Sequence, residues 1–129
     1  MYTEKLLDHF QNPRNVGRIP DADGVGTIGD PECGDCLRLY IMVNEDRLAE
    51  IKFEVFGCPA AVATTSVLTE IALGRRLVDV FQITDQDIAD ALGGLPEVKM
   101  HCSNLGTVAL FFAIMDYYGK MEESRRNPE

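Results

Sequence analysis

Leu37-Arg38-Leu39-Tyr40-Ile41-Met42-Val43, then Asn44-Glu45-Asp46, then Leu48-Ala49-Glu50-Ile51-Lys52-Phe53-Glu54-Val55-Phe56 is the stretch that decides the fold. In the first run Leu37, Leu39, Ile41 and Val43 share one face, and Arg38, Tyr40 and Met42 share the other. In the second, Ile51, Phe53 and Val55 alternate with Lys52 and Glu54. Strict alternation marks a half-buried strand, because successive side chains leave a strand on opposite faces. The polar step between the runs reads as a turn, so 37–43 and 48–56 are expected to pair as an antiparallel hairpin. Val25 to Ile28, inside a glycine- and proline-rich stretch, is expected as a third, edge strand.

Outward from the hairpin the chain turns helical. Residues 3–11 carry Leu6, Leu7 and Phe10 on one side and stop before Pro13, which disfavours helix at the residue preceding it. His9, next to Asp8 on this helix, reads as a surface residue. Pro59 suits a first helical position and Gly74 a C-terminal stop, so a helix is expected from Pro59 to about Leu73. Thr84-Asp85-Gln86-Asp87 has the form of a capping box and opens a helix to about Leu92. Gly93, Gly94 and Pro96 impose a loop. Ser103 is expected to cap a last helix carrying Leu105, Val108, Ala109, Phe112 and Met115, ending near Gly119 before a frayed polar tail. No repeat or linker interrupts this order. The expectation is one α+β domain over 1–129, a small three-stranded antiparallel sheet with helices packed on one face.

A chain of 129 residues that is 46% apolar can bury a core without disulfide staples. Its net charge of −9 argues against a nucleic-acid partner, which would meet a basic footprint, and against anionic membrane surfaces. No apolar run approaches the roughly 18 residues of a membrane span. Met1-Tyr2-Thr3-Glu4-Lys5 lacks the regions of a signal peptide. A cytoplasmic location is expected, where thiols stay reduced and clustered cysteines serve as ligands more often than as disulfides.

The four cysteines occur as Cys33-Gly34-Asp35-Cys36, Gly57-Cys58 and His101-Cys102. A single cysteine is most often inert core. Four on turn-rich flanks, with Asp35 and His101 among them, read as a coordination set. Thiolate and imidazole suit zinc or iron–sulfur chemistry far better than calcium or magnesium. Cys33 feeds the first long strand, Cys58 precedes a helix, and His101-Cys102 stand at the mouth of the last one. Helix N-termini favour the thiolate that binds metal. Cys36 is a further candidate, although it begins the strand and its side chain can face away from the others. With one Cys-x-x-Cys pair and the remaining donors spread over about seventy residues, the site looks easier to open than a closed zinc knuckle. The chain offers no nucleophile–base–orienter set, so no enzyme centre is expected.

At these residues the chain resembles the IscU/NifU-type iron–sulfur scaffold family, from Tyr2 to about Tyr118. Tyr2-Thr3-Glu4-Lys5-Leu6-Leu7-Asp8-His9-Phe10-Gln11-Asn12-Pro13-Arg14-Asn15-Val16-Gly17 resembles the family's opening signature. Cys33-Gly34-Asp35, Phe56-Gly57-Cys58 and Lys99-Met100-His101-Cys102-Ser103 resemble its three ligand motifs. The resemblance implies a SufE/NifU-like fold and a non-catalytic scaffold on which a transient [2Fe-2S] cluster is built and then passed to apo-acceptor proteins. It implies sulfur from a cysteine desulfurase and electrons from a ferredoxin-type donor. Cys33, Cys58 and Cys102 become the thiolate ligands, with Asp35 and His101 as weaker ones. Iron and zinc are both implied for this pocket.

The chain also departs from the family. An apolar residue is usual where Cys36 stands, and Pro59-Ala60-Ala61 replaces the usual Gly-Ser-Ala after Cys58. Leu95-Pro96-Glu97-Val98-Lys99 replaces Leu-Pro-Pro-Val-Lys, so Glu97 weakens the case for an Hsp70-type chaperone partner, with Lys99 kept as a partner-recognition residue. The SufU branch lacks a histidine before its last cysteine and carries an insertion before that region, so His101 disfavours it, and a chain ending before any ferredoxin-like or C-terminal Nfu domain resembles a stand-alone scaffold. The competing readings are a zinc-binding, SufU-like sulfur acceptor serving a cysteine desulfurase, and a plain zinc-stabilised domain. Five or six donors, one of them a hard carboxylate, favour exchange over a closed site.

Overall fold

A computed structural model describes residues 2–30, 35–96 and 100–126, with side chains for all of these except 30, 35, 100–103 and 126. Its elements are α1 (Glu4–Gln11), β1 (Gly24–Asp30), β2 (Asp35–Asn44), β3 (Arg47–Phe56), α2 (Pro59–Ala72), α3 (Leu77–Val80), α4 (Asp85–Ala91) and α5 (Met100–Arg126). The strands form one antiparallel sheet in the order β1-β2-β3.

The hairpin is the expected one. Glu45 and Asp46 both take positive φ, 51° and 66°. That is the turn whose twist matches the strands it joins. Leu37, Leu39, Ile41, Ile51 and Phe53 are fully buried and join α2 and α5 in the core. The register shifts between Met42 and Val43, which leaves Val43 only partly buried although its alternation pointed inward. β1 extends further in both directions than Val25 to Ile28.

α2 is buried along most of its length, and four of its buried residues carry hydroxyls. Thr65 donates to Ala61 O at 2.8 Å and Thr69 to Ser66 O at 2.6 Å, so the helix's own carbonyls satisfy them. Thr84 and Asp87 close the capping box as expected. Thr3 caps α1 by accepting from the Leu6 N–H at 3.1 Å and donates to Leu92 O at the end of α4. The one-turn helix α3 has no periodicity of its own and was not anticipated.

Two expectations are corrected. α5 begins at Met100, so Ser103 lies inside the helix and does not cap it, and His101 and Cys102 belong to its first turn. The helix also runs through Gly119 to Arg126. Gly119 faces open space, and the Asp116–Lys120 ion pair at 3.1 Å, four residues apart, supports the turn across it.

The second correction is His9, which is buried at 8% relative exposure. Its Nδ1 lies 2.8 Å from Ser66 Oγ and its Nε2 lies 3.3 Å from Glu70 Oε1. Ser66 Oγ accepts the Arg14 backbone N–H at 2.9 Å, and because the Glu70 carboxylate facing Nε2 can only accept, Ser66 is left to donate to His9 Nδ1. The neutral ring then carries its own proton on Nε2, toward Glu70. Asn15, at φ 65°, donates its side-chain amide to Thr69 Oγ1 at 2.9 Å and accepts the Phe53 N–H at 2.9 Å. The segment after α1 is thereby pinned to both α2 and β3.

Burial first, and then the Arg14 charge, hold His9 below the ordinary histidine pKa, outweighing the attraction of Glu70 and Asp8. Above about pH 6.5 the ring is neutral in folded and unfolded chains alike. Below it the unfolded chain takes up a proton that the folded one resists, so stability falls with acid. The Tm should therefore drop between pH 7.5 and 5.5 by more in the wild type than in His9→Gln. At pH 7.5 the variant should be the less stable by about 1 kcal/mol, the worth of one hydrogen bond. Identical pH dependence of the two would contradict a buried neutral His9.

Candidate functional site

The proposed donors sit on chain segments whose neighbours can be followed by register. Asp30 and Asp35 are paired to each other at the ends of β1 and β2. Cys33 belongs to the connection between them and lies outside the described residues, as does Lys99. On the other side of β2, Cys36 pairs with Phe56, the last residue of β3. Two residues later Cys58 forms the N-cap of α2, with extended backbone at φ −71°, ψ 165°, and Pro59 follows in the first turn. The Cys58 carbonyl accepts the Ala61 and Val62 N–H groups at 3.0 and 3.2 Å. Cys58 itself is partly exposed.

α5 brings the third segment. A Cβ on Gly24 would lie 2.1 Å from Ala113 O, and one on Gly26 would lie 1.9 Å from Ala109 O. β1 therefore runs antiparallel to α5 with backbone against backbone, two strand residues passing four helical ones. The two advances match, roughly 6–7 Å in each case. Continued at that rate, Asp30 comes alongside the first turn of α5, which carries His101 and Cys102.

α2 aligns with the same end. Gly106 of α5 packs on Thr65 and Leu68 of α2, while further along Phe81, after α3, stacks at 5.0 Å on Phe111. The Gly74 N–H, just past the end of α2, donates to Leu48 O at the start of β3 at 2.9 Å, so α2 runs back along β3 as α5 runs back along β1, and the two helices start at the same end. The end of β1, the start of β2, the N-cap of α2 and the first turn of α5 share that end of the sheet. Two helices turn the positive ends of their dipoles toward that region, which suits thiolates and bound anions. The side chains of Asp35, His101 and Cys102 are outside the described set. Among the described residues no three histidine, cysteine, aspartate or glutamate side chains gather to hold a metal ion.

Cys36 is placed differently. It alternates with the buried Leu37 and projects, exposed, onto the open face of the sheet. There it lines a cleft of about 230 Å³ with Arg18, Thr27, Arg38, Glu54 and Phe56, the last 77% exposed. Arg18 donates to Glu54 at 2.7 Å and Tyr40 donates to the same carboxylate at 2.8 Å. The Arg18 hydrogen bond and then that of Tyr40 hold Glu54 below the usual carboxylate range. This cleft was not anticipated. The signal available was Arg38, Tyr40 and Cys36 sharing one parity along β2.

A model of the NifU-like N-terminal domain matches residues 1–124. The chain belongs to this family. It is 57% identical over 120 residues to the iron–sulfur cluster assembly scaffold protein IscU 1 of Archaeoglobus fulgidus, spanning 93% of this chain and 78% of that one. It is 46% identical over 133 residues to the scaffold protein IscU of Aquifex aeolicus, spanning 99% and 85%. Among solved structures, the N-terminal NifU-like protein of Brucella abortus superposes with a TM-score of 0.77 at 15% identity, covering 92% and 94%. That likeness shows the shared fold: a three-stranded sheet with helices on one face is the NifU-like architecture.

The placement of Cys36 has a direct consequence. Brief treatment of the folded protein with iodoacetamide should alkylate Cys36 at close to the rate seen in denaturant and leave the Tm nearly unchanged, as read by peptide mass spectrometry and thermal melting. Strong protection of Cys36 in the native state would contradict its exposure.

Proposed function

We propose that the chain is a scaffold on which an iron–sulfur cluster is assembled and from which it is handed to apo-acceptor proteins. The observation that supports this reading is that β1 ends, β2 begins, Cys58 caps α2 and α5 starts at one end of the sheet. Both relatives above are named as iron–sulfur cluster assembly scaffold proteins. A scaffold holds and releases its cargo without turning over a substrate. The whole chain, 1–129, acts as one such domain.

Iron and sulfide are the cargo. Cys33, Cys58 and Cys102 supply thiolates, the donors that [2Fe-2S] iron prefers, and the two helix N-termini offset their negative charge. Asp35 and His101 supply the exchangeable positions, a hard carboxylate being the weaker partner for iron in sulfur surroundings. A cysteine desulfurase delivers sulfur as persulfide. Each such sulfur needs two electrons to become sulfide, and a ferredoxin-type donor supplies them. The same donors fit zinc, which holds the pocket before iron arrives. Lys99 is the partner-recognition residue, while Glu97 in the same segment makes an Hsp70-type chaperone the partner it fits least. No helix among the described residues is long and apolar enough to cross a membrane. With a net charge of −9, basic partner surfaces are favoured over nucleic acid, and the site of action is the cytoplasm.

The test is anaerobic reconstitution with iron, cysteine, a desulfurase and a reduced ferredoxin as electron donor, followed by iron and acid-labile sulfide analysis and the visible spectrum. The wild type should acquire both elements in equal amounts. Cys33→Ser, Cys58→Ser and Cys102→Ser should each lose the stable cluster while keeping the fold. Cys36→Ser should reconstitute like the wild type, because its thiol projects from the open face. Asp35→Ala should still assemble but hold the cluster longer and transfer it more slowly to an apo-ferredoxin. Zinc without sulfide under all conditions would overturn the scaffold reading in favour of a sulfur acceptor.

A further inference from the structure

We propose that Gly106, through its contact with Leu68, is a positioning residue that sets the spacing between the α2 and α5 arms of the cluster site; this rests on the scaffold reading. Gly106 is fully inside the helix layer and one turn from Cys102. A Cβ there would stand 2.9 Å from Leu68 Cδ2 and 3.4 Å from Thr65 Oγ1. The first distance is at least roughly 0.6 Å short of an ordinary carbon–carbon contact of about 3.5–4.0 Å. Leu68 is completely buried and belongs to the central core. It has no solvent to swing into, so the strain has to be relieved partly by separating the helices.

That separation falls where it matters for coordination. Thr65 lies about two turns, or roughly 10 Å, along α2 from Cys58. Gly106 lies about one turn from His101 and Cys102. β1 holds the opposite flank of α5 through Gly24 and Gly26, with backbone atoms already in contact. α5 cannot slide toward β1, so any push from α2 tilts or lifts its first turn. Metal sites demand ligand placement within about 0.5 Å. A glycine at 106 is therefore matched to a leucine at 68, and a smaller residue at 68 should accommodate alanine at 106.

The offending atom is the end of a side chain, so Gly106→Ala is compatible with folding, unlike substitution of Gly24 or Gly26. The experiment uses the full apo chain as wild type, G106A, L68V, the double variant G106A/L68V, and G119A as a control facing open space. Cobalt(II) affinity and its visible d–d spectrum report the site, and thermal melting reports stability separately. G119A should bind like the wild type. G106A should bind cobalt roughly 10-fold to 100-fold more weakly, the range typical of lost ligand support, with a changed spectrum. The double variant should recover wild-type-like affinity and spectrum although its core is smaller and it is no more stable than L68V. A role in stability alone predicts affinity following the Tm instead.

The proposal is overturned if G106A binds cobalt like the wild type, or if the double variant binds no better than G106A. It is also overturned if adding the alanine to the L68V background costs tenfold affinity, a comparison that holds even if G106A alone does not fold. Failure of the wild type itself to bind cobalt or build a cluster would instead overturn the reading of the site.

Discussion

Everything at the proposed site depends on α5 lying with its backbone directly against β1. Gly24 and Gly26 have no room for a Cβ, since the carbonyls of Ala113 and Ala109 occupy that space. The small residues on both sides reduce the separation of helix and strand to backbone contact. The Val25 N–H then donates to the Asp116 carboxylate at 2.9 Å, and Asp116 also pairs with Lys120. The seam fixes both the direction and the register of α5. Its first turn is carried to the end of the sheet where β1 and β3 finish and β2 begins, and α2 starts from the same end because only Gly57 and Cys58 separate it from β3.

The opening stretch of the chain serves the same purpose from the other side of α2. His9 and the Arg14 backbone on Ser66, and Asn15 on Thr69, join α1 and the segment after it to the middle of α2. The buried His9 ring and the Ser66 hydroxyl find their partners only in this arrangement, so the group favours one docking of α1. The exposed Arg14–Asp8 ion pair at 2.7 Å lies at its rim and adds little by itself. The residues that resemble a family signature near the N-terminus are thus a structural clasp in this chain, some distance in sequence from any cysteine.

What could be read from the sequence is what local chemistry decides. The hairpin, the Thr84–Asp87 capping box and the Pro59 start of α2 each depend on residues within a few positions of one another, and each was legible. His9 was misread because its partners, Ser66 and Glu70, lie 57 and more positions away. The only hint was a helix with hydroxyls at Thr64, Thr65, Ser66 and Thr69 where apolar residues were expected. The limits of α5 were misread because Ser103 and Gly119 have the chemistry of helix ends, while packing against β1 and α2 and the pair across Gly119 hold the helix through both. For the site, the donor residues were legible as types and spacings. Their convergence was not, because it follows from the glycine seam and from the direction of α2 relative to α5, which only packing fixes.

The most direct test of that convergence is an amide-resolved NMR titration of the apo-protein with zinc. If the three segments form one site, the amides around Cys33, Cys58 and Cys102 should shift together and saturate at one common stoichiometry, while those of α4 and the β2–β3 turn stay in place. Segments that respond independently, at different zinc concentrations, or a response confined to one of them, would contradict a single site built where these three element ends meet.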